Sequence, residues 1–154
     1  MGSRQNRFDA IKQAIEAKDI ATQEELIAEL EKLGYDVTQA TVSRDISDLG
    51  LLKVRISGAG APAGRQVYSL PEIERLRSLS NEFIISIDKT ENMMVLKTHP
   101  GTAQAVAAAI DAVKWPDVLG TVGGDDTILV IARTPAVADY IAGRVAKLRD
   151  EKTF

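Results

Sequence analysis

Val37-Thr38-Gln39-Ala40-Thr41-Val42-Ser43-Arg44-Asp45-Ile46 reads as a short helix with a capped start, and it decides the first half of the fold. Thr38 suits the N-cap, where its hydroxyl can accept an orphaned backbone N–H of the first turn. Val37 before the cap and Val42 after it can close a hydrophobic staple. Val42, Ile46 and Leu49 recur at helical spacing and predict an inward face, and Gly50 supplies the stop. Gln39, Thr41, Ser43 and Arg44 are left outward. These are groups that pair with DNA: Gln with adenine, Arg with guanine or a phosphate, Ser and Thr with either.

Working outward, Thr22-Gln23-Glu24-Glu25 forms a capping box, Leu26, Ile27, Leu30 and Leu33 form an apolar stripe, and Gly34 ends that helix. About three residues then separate Gly34 from Thr38, the connection of a helix-turn-helix. Phe8, Ile11 and Ile15 mark a first helix over roughly residues 7–18. Two short strands follow the recognition helix, Leu52–Ile56 and Gln66–Leu70. They flank the Gly/Ala/Pro-rich stretch 57–65, as in the wing of a winged helix-turn-helix. A three-helix protein-interaction module with an ordinary hairpin is the alternative.

The chain has 154 residues, enough for one ordinary domain or two small ones, and 45% of them are hydrophobic, enough to bury a core. No apolar run approaches ~20 residues, so no transmembrane helix is expected. The polar start, with Arg4 and Arg7, gives no sign of a signal peptide. Without cysteine there are no disulfides, thiolate catalysis or cysteine-based metal sites, which fits the cytoplasm.

The net charge of −3 runs against a general nucleic-acid footprint. Residues 1–72 hold 9 Lys/Arg against 11 Asp/Glu, and residues 73–154 hold 10 against 11. The basic footprint must therefore be local. Glu24, Glu25, Glu29 and Glu31 fall on the second helix, which can turn them to solvent. Arg4, Arg7, Lys12, Arg44, Lys53, Arg55 and Arg65 fall on the N-terminal arm, the recognition helix and the wing. So modest a charge implies weak binding by one copy, with affinity gained by presenting several.

The pattern changes near Pro71. Residues 71–81 read as a polar connector, compatible with a helix, between a DNA-binding domain (1–70) and a second domain (82–154). In the second, Phe83, Ile85 and Ile87 alternate with Ile84, Ser86 and Asp88, and a turn at Lys89–Asn92 leads to Met93–Thr98. An alanine-rich helix over roughly 102–114 follows, with Val106, Ile110 and Val113 inward. Strands at Val118–Val122 and Thr127–Ala132 precede a helix begun by Pro135. The order ββαββα predicts an α+β fold, an antiparallel sheet with helices on one face. The other face needs a partner, and Ala103, Ala105, Ala107, Ala108 and Ala109 would permit close contact, so this reads as an oligomerisation domain.

Gly120-Thr121-Val122-Gly123-Gly124-Asp125-Asp126-Thr127 is the second concentrated signal. Its glycines permit a tight turn from which two carboxylates project. A plain hairpin, a divalent-metal site or a seat for a cationic ligand all fit, the last because a carboxylate offers bidentate geometry to a guanidinium. An enzyme has little to work with. His99 is the only histidine and sits at a loop beside Pro100, and neither a Gly-x-Ser-x-Gly elbow nor a P-loop is present.

Together these stretches closely resemble the bacterial arginine repressor family. The resemblance rests on residues 37–45, Lys53-Val54, Pro100-Gly101-Thr102-Ala103-Gln104, and Gly120-Thr121 followed by Gly124-Asp125-Asp126-Thr127. It runs in order from about Arg7 to Leu148; the tail beyond matches no motif. Gly123 stands where alanine is common. The resemblance implies a hexamer of two stacked trimers, L-arginine bound between them as corepressor, and no other cofactor or metal. It implies control of arginine biosynthesis operons by repression, with activation of catabolism in some members. By position, Ser43 and Arg44 would touch the operator with Gln39, Thr41 and Lys53. Asp125 and Asp126 would hold the arginine guanidinium, Asp125 from the opposite trimer, and Gln104 and Asp111 its α-amino and carboxylate end. Those two lie seven residues apart, on one helix face. A regulator answering to lysine, another amino acid or a metal is the alternative.

Overall fold

A computed structural model describes residues 3–57 and 64–153, so residues 58–63 of the expected wing loop lie outside the described residues. The chain forms two compact units, one of Met1–Pro71 with Thr153–Phe154, the other of Glu72–Lys152.

The first unit holds α1 (Ser3–Ala17), α2 (Gln23–Lys32) and α3 (Gln39–Leu49), then the antiparallel strands β1 (Leu52–Ser57) and β2 (Gln66–Ser69). Ile11, Ile20, Leu26, Leu30 and Val42 are its fully buried core, with Ala10, Ala14 and Tyr68 around them and Ile46 and Leu49 packed against it. α1 begins several residues earlier than its apolar spacing predicts. Arg4 and Arg7 in its first turns find acidic partners on α3, which extends a helix whose start carries no inward apolar residue. Leu33 is also corrected: it is the C-cap of α2 and is exposed, because the helix closes at Lys32 and Gly34 takes a positive φ of 89°. Thr22 Oγ1 accepts from Glu25 N at 3.1 Å, while the Glu25 carboxylate accepts from Ala21 N at 2.8 Å, one residue before the cap.

α3 is capped as its sequence predicts. Thr38 Oγ1 accepts from Thr41 N at 3.3 Å, and Gly50 closes the helix in the left-handed region at φ 65°, where a side chain would be strained. Thr38→Ala is expected to destabilise the first unit by about 1 kcal/mol, seen as an earlier urea transition of the helical signal. β1 and β2 pair in the register Leu52↔Ser69 and Val54↔Val67. The last described strand, β7 (Lys152–Thr153), stands beyond β1 in the order β2-β1-β7.

The second unit comprises α4 (Pro71–Phe83, from Glu72), β3 (Ile84–Thr90), β4 (Met93–Thr98), α5 (Ala103–Val113), β5 (Val118–Gly123), β6 (Thr127–Ala132) and α6 (Pro135–Asp150). Its sheet is antiparallel throughout, in the order β3-β4-β6-β5. The segment read as a connector is thus a helix that clusters with the sheet unit from Glu72 onward. Buried Arg77 fixes α4, its guanidinium bonding Glu74 and, at 3.2 Å, Glu151 past the end of α6. α6 starts on a Thr134 cap with Pro135 in its first turn.

Met94, Leu96, Ile128, Val130 and Ala132 point to one sheet face and are buried there under α5 and α6. The opposite face carries Met93 against Ile131, Val95 against Leu129, and Val122 against Leu129, with Val122 exposed and the others half-buried. This apolar face has no cover within the unit. The alanines of α5 are divided: Ala103, Ala107 and Ala109 are buried within the unit, which removes them from any outside contact, while Ala105 and Ala108 are exposed. No described helix is long and apolar enough to cross a membrane.

Candidate functional site

In the first unit the outward face of α3 presents Ser43 and Arg44, both exposed and, among the described residues, without a side-chain partner. Gln39 is exposed beside Gln23, with Nε2 3.5 Å from Gln23 Oε1. Thr41 is half-buried, and its hydroxyl sits 3.1 Å from that of Thr38, which ties it to the cap. Lys53 is exposed on β1 with its ammonium 4.9 Å from the Tyr68 ring centroid, a cation–π contact that steers the side chain while leaving its charge in solvent. Arg55, two residues along the strand, leaves by the same face.

The remaining arginines expected on this surface are otherwise engaged. Arg4 pairs with Asp48 at 2.6 Å, Arg7 with Asp45, and Arg65 with Glu25 at 3.0 Å. Lys12, Arg44, Lys53 and Arg55 keep no acidic partner among the described residues. The reading of the second helix changes as well, since Glu25 and Glu29 both hold cations rather than simply facing water. Lys18 and Lys32 pull the Glu29 carboxyl below its ordinary pKa. Asp45 is the residue that sequence reasoning missed. It sits inside the decisive stretch, yet it is buried.

In the second unit, backbone bonds bring the Pro-Gly-Thr-Ala-Gln segment and the glycine-aspartate turn together. The Asp125 carbonyl accepts from Gly101 N at 3.1 Å and Ala103 N at 3.2 Å, and the Asp126 carbonyl from Thr98 N at 2.8 Å. The first turn of α5 lacks a side-chain cap, so these bonds satisfy donors that would otherwise be orphaned. With their carbonyls turned inward, both aspartates leave their carboxylates exposed. Asp126 Oδ1 accepts from the Thr127 hydroxyl at 2.9 Å; the Asp125 carboxylate has no partner among the described residues.

Gln104 and Asp111 stand on the same exposed edge of α5 and both reach β5. Gln104 Nε2 donates to the Gly123 carbonyl at 2.6 Å, and the Thr121 hydroxyl lies 3.0 Å from each Asp111 oxygen. All four residues assigned to a ligand therefore line one edge made by α5, β5 and the turn after it. Lys97, opposite Thr127 in register, adds a cation that sequence reasoning did not single out, donating to the Thr127 hydroxyl at 2.7 Å. Among the described residues no three His, Asp or Glu side chains gather as metal ligands. His99 is exposed.

Comparison with known proteins covers nearly the whole chain. Residues 2–76 match the family described as arginine repressor, DNA binding domain, and residues 80–147 match arginine repressor, C-terminal domain. An arginine repressor of Carboxydothermus hydrogenoformans is 49% identical, with 82% of this chain and 86% of that protein covered. Arginine repressors of Staphylococcus aureus strains JH9 and Newman are each 43% identical, with 92% of this chain and 95% of theirs covered. These relatives are named as repressors.

Proposed function

This chain belongs to the arginine repressor family, and from that membership we propose that it represses arginine biosynthesis genes by binding operator DNA in the cytoplasm as a hexamer, with L-arginine as corepressor. Ser43 and Arg44 read the operator, Gln39 and Thr41 support them, and Lys53 meets the backbone from the wing. Asp125 and Asp126 take the guanidinium, and Gln104 and Asp111 take the α-amino and carboxylate end. No other cofactor and no metal takes part.

The observation that carries this reading is the placement of those four residues along one edge made by α5, β5 and the turn after it, with the Asp125 carboxylate exposed and unpaired among the described residues. An exposed carboxylate pair holds a guanidinium only weakly in water. The same pair covered by a second copy of the chain gains strength as solvent leaves, which ties ligand binding to assembly. The uncovered apolar sheet face supports assembly independently. If the DNA-competent assembly binds arginine better, arginine and operator must strengthen each other reciprocally, ordinarily by ~1–3 kcal/mol.

Calorimetric titration of the full chain with L-arginine and with L-lysine tests the effector. Arginine is expected to bind and lysine to bind far more weakly, because an ammonium is a point charge that cannot match two carboxylates as a planar fork does. Equal heats from both would replace arginine by a general cationic effector. A substitution at the edge refines the picture. A Cβ on Gly123 would lie 3.4 Å from both Ala107 Cβ and Gln104 Cδ, an ordinary contact distance. Gly123→Ala is therefore expected to leave arginine affinity within about threefold of the parent in the same titration, a shift smaller than one ordinary hydrogen bond would produce.

A further inference from the structure

Neither Arg7 nor Asp45 belongs to the exposed recognition surface. The Arg7 guanidinium forks onto Asp45, Nε to Oδ2 and Nη2 to Oδ1 at 3.0 Å, and the Asp45 residue is only 2% exposed. One turn along each helix, Arg4 bonds Asp48 at 2.6 Å, its guanidinium lying 5.1 Å from the Phe8 ring centroid. The two pairs form an antiparallel ladder between α1 and α3, with the inner rung buried and the outer one open to water. The outer rung contributes little energy.

The inner rung is different. Its hydrogen bonds first, opposed by partial burial, hold the Arg7 guanidinium above its ordinary pKa. A buried ion pair is weak evidence for stability, because desolvation offsets the attraction. What a bidentate fork adds is direction. Val42, Ile46 and Leu49 hold α3 against the core by apolar burial, which is non-directional and sets the helix heading less sharply than a bidentate bond. Asp45 follows Arg44 in sequence, about 100° further round the helix, so anchoring Asp45 inward fixes the heading of Arg44 outward.

We propose that Arg7 and Asp45 form a positioning clamp that sets the rotation of α3, so that Arg7 serves operator specificity without touching DNA. The inference rests on the reading of α3 as the recognition helix. It differs in sign from a purely electrostatic account, in which deleting a carboxylate near the phosphates strengthens binding to any duplex.

The test titrates the full-length chain and its Asp45→Asn, Arg7→Lys and Arg44→Ala variants. Each is measured against a palindromic arginine-operator duplex and a scrambled duplex of the same length, over a series of salt concentrations with arginine held constant. Circular dichroism and thermal melting report folding. Asp45→Asn is expected to bind the operator about tenfold or more weakly, the loss typical of one charged hydrogen-bonded pair. It should bind the scrambled duplex at least as tightly as the parent and keep the parent's salt slope. Arg7→Lys, which keeps the charge and loses the fork, should show the same selective loss to a smaller degree. If Asp45→Asn does not fold, Arg7→Lys decides by the same ratio of operator to scrambled affinity. An unchanged ratio in the folded variants overturns the clamp. So does an equal loss on both duplexes with a shallower salt slope, which would make Arg7 a phosphate contact. A parent chain that does not prefer the operator, with Arg44→Ala indistinguishable from it, overturns the recognition-helix reading itself.

Discussion

Arg44→Ala is expected to abolish operator recognition while leaving the assembly intact. Arg44 is exposed on α3, has no partner among the described residues, and makes no contact that the fold requires. Removing it therefore costs little stability, and any loss of binding belongs to DNA. A well-placed arginine contributes about 1–3 kcal/mol of discrimination at a base, and a palindromic site engages at least two copies, so the loss should be on the order of a hundredfold or more. Competition binding against nonspecific DNA separates base reading from phosphate contact. Loss confined to the operator marks a base contact. Equal weakening on all sequences, with a salt slope reduced by about one per copy, marks a phosphate contact. Normal binding would show the assignment of α3 to be wrong.

The second large effect is expected from Asp125→Asn. The Asp125 carbonyl stitches the turn to the start of α5, and the substitution preserves it; asparagine also suits a turn as well as aspartate does. Only the carboxylate charge disappears. If that charge meets an arginine guanidinium in a site covered by another subunit, its removal should weaken arginine binding by about 2 kcal/mol or more, roughly thirtyfold. Operator binding without arginine should not change, and the melting of the first unit should match the parent. An unchanged arginine response would remove Asp125 from the site.

How much could be read beforehand depended on the range of each interaction. Caps and stops are local, so Thr22, Thr38, Gly50 and Pro135 announce helix ends within three or four residues, and each stands where its chemistry predicts. The turn at Lys89–Asn92 and the apolar run Thr127–Ala132 likewise placed β4 and β6, whereas the alternation read from Phe83 fails at its start: Phe83 closes α4, and a bulge between Ile84 and Ser86 leaves Ile84 buried and Ile85 exposed. Long-range pairing left no such mark. Asp45 looks like one more polar residue on a recognition helix, and only a partner 38 positions away makes it a buried one. For the same reason Arg4, Arg7 and Arg65 pass for a basic surface until their partners on α3 and α2 are seen. The alanines of α5 are compatible with either face, and only the packing divides them.

The site divides in the same way. Two short motifs drew attention to Gln104, Asp125 and Asp126, and Asp111 came only from the resemblance; the bonds that bring the two motifs together run between backbone groups far apart in sequence. The junction of the Asp125 carbonyl with Gly101 and Ala103 lies beyond any spacing rule.

The central claim is that operator binding and arginine binding are coupled in this chain. It is tested most directly by fluorescence anisotropy on a palindromic arginine-operator duplex, with and without millimolar L-arginine. Near-physiological salt and excess nonspecific DNA are needed, because phosphate contacts alone mimic affinity at low ionic strength. Specific binding that tightens about fivefold or more with arginine is the predicted result, at the lower end of ordinary coupling. Specific binding of the same strength with and without arginine would contradict it.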